Sequence, residues 1–447
     1  MLETIHIGDF KSIGDARLHL AELTLLIGAN ASGKSNVLEA IQLLSWIANN
    51  GRLENLHSAM KSRALRVRGA PRDLARAAHA KAPDVRLGCV LREPEIGALE
   101  LSMALRQTET GLRVVEERLT APELAETAQS KQPLYEVVEA ADDRGDRITV
   151  QYNSFSRGRA RPTIVCADQQ AVFVQLVSPA RFGATHTRSQ RLIPQATSAV
   201  QRWLSAILFL DPNPSVMRGY SDRSDRRMHG DGANVSAVLY DLCEARGRKD
   251  EALAFIRSLP ERDISDIRFV TTSRDEVLVE LVETFGSVEQ GTEAALLSDG
   301  TLRVLAVAAA LLSVDEGSLV VIEEIDNGVH PSRAASLLKS IRSVAAERRL
   351  RVLLTTHNPA LLDAVPPAAL PDVTVCYRDP EGGGSKLARL LDLDRYPSLV
   401  AAEPLGALVT TGVVDRYVKA EPVDEEAATA AAMEWLNRLM PGGSGSS

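Results

Sequence analysis

Gly28-Ala29-Asn30-Ala31-Ser32-Gly33-Lys34-Ser35 is the stretch that decides the fold. It has the spacing of a complete Walker A phosphate loop, with glycines bounding a tight turn and Lys-Ser opening a helix. The residues before it, Leu-Thr-Leu-Leu-Ile (23–27), form a short run without clean alternation, as in a strand covered on both faces. After it, Val37, Ile41, Leu44 and Ala48 recur at helical spacing on one face. This is the strand–loop–helix context that the motif requires. The glycines let backbone N–H groups wrap phosphate oxygens, and the helix N-terminus favours their charge. Gly28, Asn30, Gly33, Lys34, Ser35 and Asn36 are therefore the expected nucleotide-binding residues of an ATP site. Lys34 is expected on the β- and γ-phosphates and the Ser35 hydroxyl on Mg2+.

Two further apolar runs end in polar motifs. Leu319-Val320-Val321-Ile322 leads into Glu323-Glu324, a strand end where one carboxylate holds Mg2+ and its neighbour orients the attacking water. Glu323 is assigned to the metal and Glu324 to the water. The run 352–354 leads into Thr355-Thr356-His357-Asn358-Pro359, where His357 can hydrogen-bond the γ-phosphate or the water. Parallel sheets bind ligands beyond the carboxyl ends of their strands, which is where all three motifs begin. Leu297-Ser298-Asp299-Gly300-Thr301 precedes an apolar helical stretch, 304–312. Taken alone it is an ordinary helix cap; the alternative is an anion site for a nucleotide bound elsewhere.

A long insertion separates the first run from the other two. Period-two segments within 85–152, with turn residues at 142–145, predict an antiparallel meander. The pattern turns helical over 189–259, and 267–282 returns to strand alternation around Ser273-Arg274-Asp275. No sustained heptads appear, which excludes a long coiled coil. The expected fold is α/β: a P-loop NTPase of the ABC-type head class, with a mostly parallel core sheet, an antiparallel β meander and a helical insertion. The expected divisions are a P-loop lobe with the meander (1–155) and a mainly helical insertion (156–262). The signature, Walker B and histidine part follows (263–415), then a C-terminal helix and flexible tail (416–447).

Composition narrows the function classes. Hydrophobic residues make up 45% and charged residues 25%, the balance of a globular chain. The net charge of -8 means that DNA could be held only by local basic patches. Two candidates exist: 61–81, with Lys61, Arg63, Arg66, Arg68, Arg72, Arg76 and Lys81 against Asp73, and the trio Arg157, Arg159 and Arg161. A solvated helix face is the plainer reading of such a stretch. Cys89, Cys166, Cys243 and Cys376 lie too far apart for a metal framework and read as buried free thiols. Asp392-Leu393-Asp394 reads as a surface turn. Residues 1–20 lack a leader pattern and no apolar run reaches the ~18 residues of a membrane helix, so a cytoplasmic protein without a membrane role is expected. In the tail, Ala428, Ala432, Trp435, Leu436 and Leu439 make an apolar helical face, for its own head or for a partner. The final Gly-Gly-Ser-Gly-Ser-Ser reads as a flexible linker.

Walker A, Ser-Asp-Gly-Thr, Ile-Glu-Glu, an Asp-Asn-Gly-Val-His-Pro turn from Asp326 and Thr-Thr-His occur in the order of ABC-type ATPase heads. With Asp9-Phe10-Lys11-Ser12-Ile13-Gly14-Asp15 and His229-Gly230-Asp231-Gly232-Ala233-Asn234, the chain resembles the RecF/SMC-related group of bacterial AAA-type ATPases, which includes OLD-family heads. Too few residues follow His357 for the Toprim nuclease of the OLD type, and transporter ATPase subunits carry shorter insertions. The resemblance implies ATP hydrolysis by a head-to-head homodimer around two ATP–Mg2+. Ser298, Asp299 and Gly300 would be the signature acting on the partner's nucleotide, with Asp326 at the same interface. It further implies action on DNA in repair or phage defence; the other class is an ATP-switched scaffold controlling a separate effector protein. Two positions depart from the group's pattern. Asp299 stands where transporter-like signatures carry Gly, and is expected to point away and cap its own helix. Glu323 stands where Asp is usual, which moves the carboxylate one methylene outward.

Overall fold

A computed structural model describes residues 1–76, 83–109, 111–124, 132–140, 145–156, 161–257, 264–285, 288–326, 331–393 and 403–419. Lys81, Arg157, Arg159, Asp394, most of the 142–145 turn and the tail helix over 421–440 lie outside these residues.

The chain opens with β1 (Leu2–Phe10), β2 (Ile13–His19) and β3 (Leu23–Ile27). The insertion brings β4 (Val85–Glu93), β5 (Gly97–Thr108), β6 (Gly111–Thr120), β7 (Tyr135–Glu139), β8 (Arg147–Tyr152) and β9 (Thr163–Ala167). Later come β10 (Leu208–Leu210), β11 (Ser221–Asp222), β12 (Ile264–Thr271), β13 (Glu276–Phe285) and β14 (Val288–Glu293). β15 (Leu319–Ile322), β16 (Arg351–Thr355), β17 (Val373–Arg378) and β18 (Ser385–Arg389) complete the set. A 14-stranded sheet runs β10-β15-β16-β3-β17-β18-β2-β1-β4-β5-β6-β7-β8-β9, and β11 to β14 form a second, 4-stranded sheet.

The two ends of the long sheet differ in pairing. β10, β15, β16, β3 and β17 are parallel, so the three motif-bearing strands are neighbours and end on one edge. From β1 through β4 to β9 all pairs are antiparallel, and the meander continues through Thr163–Ala167. The α/β fold class expected from the sequence is the one observed. Burial explains the two sequence patterns. In β3, Leu26 packs into the core on one face while Leu23, Leu25 and Ile27 pack into the core on the other. Strands covered twice have no solvent side, hence no alternation. In β5, by contrast, Leu99, Leu101 and Met103 are buried between exposed Glu100 and Ser102.

The helix after the phosphate loop, Lys34–Ala48, departs from the one-faced expectation. Leu38, Ala40, Leu43 and Ile47 are buried as well as Val37, Ile41, Leu44 and Ala48. The helix Thr187–Ser205 packs against it, and Gln201 Nε2 donates to Ala48 O at 3.2 Å. Covered on both sides, the P-loop helix is anchored rather than floating on the sheet. The helix Asp299–Ser313 is also buried nearly all round, from Gly300 to Leu312.

One carboxyl is enclosed in the meander. Glu117 on β6 accepts hydrogen bonds from Tyr135 Oη, Val172 N and Phe173 N, each at 2.7 Å. Burial pushes this carboxyl up to about 7, against the pull of its three donors. It ties the meander to the segment that leads into the helix over the P-loop. All four cysteines are buried and free. Among the described residues no helix is long and apolar enough to cross a membrane.

Candidate nucleotide site

The phosphate loop is shaped by what presses on it. Gly28 has φ +147° and Gly33 φ +119°, both in the region that favours glycine. A Cβ on Gly28 would lie 2.1 Å from Cys376 O on β17, and one on Gly33 would lie 2.2 Å from Ser385 Oγ on β18. The neighbouring strands thus close on the loop from behind. Ser385 Oγ donates to Ser32 O at 2.5 Å and pairs with Ser12 Oγ at 2.7 Å. Asn36 Nδ2 donates to Ser12 Oγ at 2.6 Å, so its side chain braces the helix against the β1–β2 turn. Lys34 Nζ donates to Gly28 O at 2.6 Å and Ala29 O at 3.1 Å, spanning the inside of the loop. Burial draws its ammonium below the usual lysine range, opposed by Cys376 and Glu324. Ser32 Oγ is buried with no hydrogen-bond partner among the described residues. Such an orphan suits a loop built to surround phosphate oxygens.

β15 delivers Glu323 and Glu324 to the same edge. Glu323 N donates to Leu210 O at 3.0 Å, continuing the strand pairing by one residue. Its carboxyl is raised above the ordinary value by burial, with Asp211 adding and Arg66 opposing. Glu324 turns out of the strand with φ +46°, a left-handed conformation that is costly for a residue with a Cβ. The turn is held from β16, where Thr355 Oγ1 accepts from Glu324 N at 3.0 Å and Thr355 O accepts from Ile325 N at 3.3 Å. Thr355 and Thr356 are buried and His357 is exposed. Asn358 then caps the helix Pro359–Asp363 through Ala360 N at 3.0 Å.

These motifs line one cavity of about 440 Å³, with Asn30, Gly33, Lys34, Ser35 and Asn36 on one side and Glu323, Glu324 and His357 on the other. Arg68 and Arg378 line it too. Arg378 Nε donates to Ala31 O at 3.2 Å. Arg68 Nε and Lys11 Nζ both bind the buried carboxylate of Glu39 on the P-loop helix. The described part of 61–81 is solvated, as its plainer reading has it, but it is not a helix face. Among the described residues of that stretch the α-helix Leu56–Lys61 ends at Lys61 and a single 3-10 turn covers Pro71–Asp73, while 62–76 returns along the β1–β2 turn, with Lys11 N on Leu74 O and Arg76 N on Asp9 O. Arg66 lies 3.9 Å from Asp211, and Arg63, Arg66, Arg68 and Arg72 are all exposed.

The signature sits elsewhere. None of Ser298, Asp299 and Gly300 is among the described residues that line the cavity. Ser298, not Asp299, caps the helix, its Oγ accepting from Thr301 N at 3.2 Å. Asp299 does not cap its own helix; its Oδ1 accepts from Arg218 Nη2 at 2.5 Å. Ser298 holds the cap position and Asp299 is the first helical residue, so its carboxylate is left to take the charge-assisted hydrogen bond from Arg218. Asp326 Oδ1 is buried with no hydrogen-bond partner among the described residues.

The family model described as "AAA domain, putative AbiEii toxin, Type IV TA system" matches residues 130–363, more than half of the chain. The chain belongs to this AAA-domain family. A second model, described as "AAA ATPase domain", matches residues 1–64. The AAA-domain matches therefore take in the P-loop from one side and Glu323, Glu324 and His357 from the other. No curated protein matches. Among solved structures, the SMC head domain from Thermotoga maritima is 13% identical, covering 87% of this chain and 98% of its own, with a TM-score of 0.42. An Smc head domain with an extended coiled coil, bound to the C-terminal domain of ScpA and derived from Pyrococcus furiosus, is 12% identical. It covers 90% of this chain and 99% of its own, with a TM-score of 0.45.

Arg68, Arg378 and Thr355 at the cavity, and Arg218 beside Asp299, were not legible as candidate residues from the sequence. Arg68 carried a weak signal as part of a basic run. Thr355 adjoined the histidine motif, whereas Arg378 and Arg218 stand in no motif at all.

Proposed function

We propose that this AAA-domain protein binds ATP–Mg2+ in the 440 Å³ cavity and hydrolyses it. The observation that carries the reading is the convergence there of Lys34, the Glu323–Glu324 pair and His357 from three adjacent parallel strands. Lys34 exchanges the carbonyls of Gly28 and Ala29 for phosphate oxygens. Ser35 and Glu323 would hold Mg2+, whose charge offsets that of the β- and γ-phosphates. Glu324, fixed by Thr355, orients and deprotonates the attacking water, and His357 donates to the γ-phosphate. Arg68 and Arg378 add positive charge around the polyphosphate.

The wider reading is a cytoplasmic homodimer that closes head to head on two ATP molecules. Its support is that the signature does not line the phosphate cavity of its own chain: Ser298 and Gly300 then act on the nucleotide of the other copy. Leu296, just before the signature, is 79% exposed, which suits a face that becomes covered. Asp326, whose Oδ1 is buried with no hydrogen-bond partner among the described residues, is inferred to join the same junction. The output we infer is DNA association, in repair or phage defence, through exposed cations such as Arg63 and Arg72. Control of a separate effector protein is the second reading, favoured because Arg66 and Arg68 of the basic run already pair with Asp211 and Glu39.

The test compares wild type with Glu324→Gln for ATP turnover and for size with and without ATP, followed by duplex DNA. Loss of turnover by about 100-fold or more with ATP binding retained is expected, together with a trapped dimer. DNA-stimulated turnover supports the DNA output; trapped dimers indifferent to DNA support the effector reading. A chain that neither binds ATP nor turns it over overturns the proposal.

A further inference from the structure

A carboxylate in the first turn of the signature helix is an electrostatic problem if that helix end is to meet phosphate. Asp299 stabilises its own helix end, but it also consumes the positive potential that would hold an anion there. The structure places a compensating charge beside it. Arg218 follows the short helix Pro214–Met217 and lies 81 positions away in sequence. Its Nη2 donates to Asp299 Oδ1 at 2.5 Å, and its Nη1 donates to Leu297 O at 2.7 Å and Ala295 O at 3.0 Å. One guanidinium thus neutralises Asp299 and pins the backbone on both sides of Leu296, immediately before Ser298.

Stability alone does not account for this arrangement. The Asp299 side chain is 66% exposed and that of Arg218 34% exposed, and ion pairs at such exposure contribute little to folding. What the pair changes is the sign of the local field and the shape of the loop. With Asp299 drawn sideways onto Arg218, the Ser298 hydroxyl and the first N–H groups of the helix remain the leading polar groups of its end. The carbonyls of Ala295 and Leu297, which would also repel an anion, are already occupied.

We propose that Arg218 is a positioning residue: it neutralises Asp299 and fixes the signature loop, so that the helix end accepts the γ-phosphate of ATP held by a second copy of this chain. The proposal rests on the head-to-head reading above and names what makes an acidic signature compatible with it. The chemistry of recognition is charge compensation, not direct contact between Arg218 and ATP.

The experiment uses the full chain with Glu324→Gln as parent, which traps ATP-bound dimers. Dimerisation is followed by analytical ultracentrifugation across an ATP–Mg2+ titration, and ATP binding to the monomer by a fluorescent ATP analogue at low protein concentration. Arg218→Ala is expected to raise the ATP concentration for half-dimerisation by about tenfold or more, because an unpaired carboxylate now faces phosphate. Monomer binding of the analogue should stay within about twofold, since the cavity in cis is untouched. Adding Asp299→Asn to Arg218→Ala should bring dimerisation back to within about threefold of the parent, by removing the charge that Arg218 offset. A merely structural arginine predicts no such rescue. The proposal is overturned if Arg218→Ala dimerises like its parent, or if the double variant is no better than the single one. A parent chain that binds the analogue but never dimerises overturns the head-to-head reading, and the proposal with it.

Discussion

The phosphate loop and the signature loop both lead into helix N-termini, yet they are stabilised in opposite ways. The phosphate loop is enclosed. Gly28 and Gly33 sit against β17 and β18, its helix is covered on both sides, and Lys34 bonds the loop's own carbonyls. The signature loop is open, capped by one serine and held by one guanidinium from a distant segment. Enclosure preorganises a site at the cost of tolerance to change. An open loop held by an ion pair tolerates substitution in folding while remaining sensitive in its field. On the proposed reading, the enclosed loop suits a site that holds its own nucleotide, and the open loop one that meets and leaves another copy.

The contrast is most exposed at Gly33. Gly33→Ala puts a Cβ where Ser385 Oγ stands, in a backbone conformation that alanine adopts at a cost. Strain and overpacking together should remove about 4 kcal/mol, read as roughly a thousandfold loss of ATP affinity or as lowered stability. Isothermal titration with ATP alongside urea unfolding measures both. A variant that keeps its stability and binds within about threefold of wild type would show that the loop is not preorganised by its neighbours.

Glu117 tests enclosure away from the nucleotide. Its carboxyl is raised from 4.5 to about 7, so the unfolded chain ionises before the folded one. Between those values the folded state binds more protons, and stability falls as pH rises, by up to about 3 kcal/mol in all. Glu117→Gln should flatten that fall between pH 5 and about 7 in urea titrations. Parallel curves for the two proteins would mean that the three donors, not burial, set the ionisation.

The smallest effect belongs to the open loop. Ser298→Ala removes the cap to Thr301 N and should cost about 1 kcal/mol of stability, with ATP binding by the monomer unchanged. A loss of several times that size, or weaker binding in cis, would erase the distinction between the two loops.

Much of the candidate nucleotide site was legible because its signals are local. The loop motif, the apolar strand before it and the helix after it lie within a short stretch, and Glu323, Glu324 and His357 each follow a strand covered on both faces. The helical periodicity of 34–48 was read as one face because spacing shows which positions can be buried together. It does not show how many neighbours will arrive. The basic run was legible only as charge: that the exposed Arg68 would reach Glu39 depends on the return of 62–76 along the β1–β2 turn.

The sequence by itself determined the phosphate loop, the motif-bearing strands and the antiparallel meander, because glycine conformation and hydrophobic period act between near neighbours in the chain. Only the tertiary structure decided that Thr355 would hold Glu324, that β17 and β18 would close on the glycines, and that Arg218 would take Asp299 from its own helix. Those are contacts of a few ångströms between residues remote in sequence, and electrostatic and steric energies depend on distance in space, which a linear pattern does not contain.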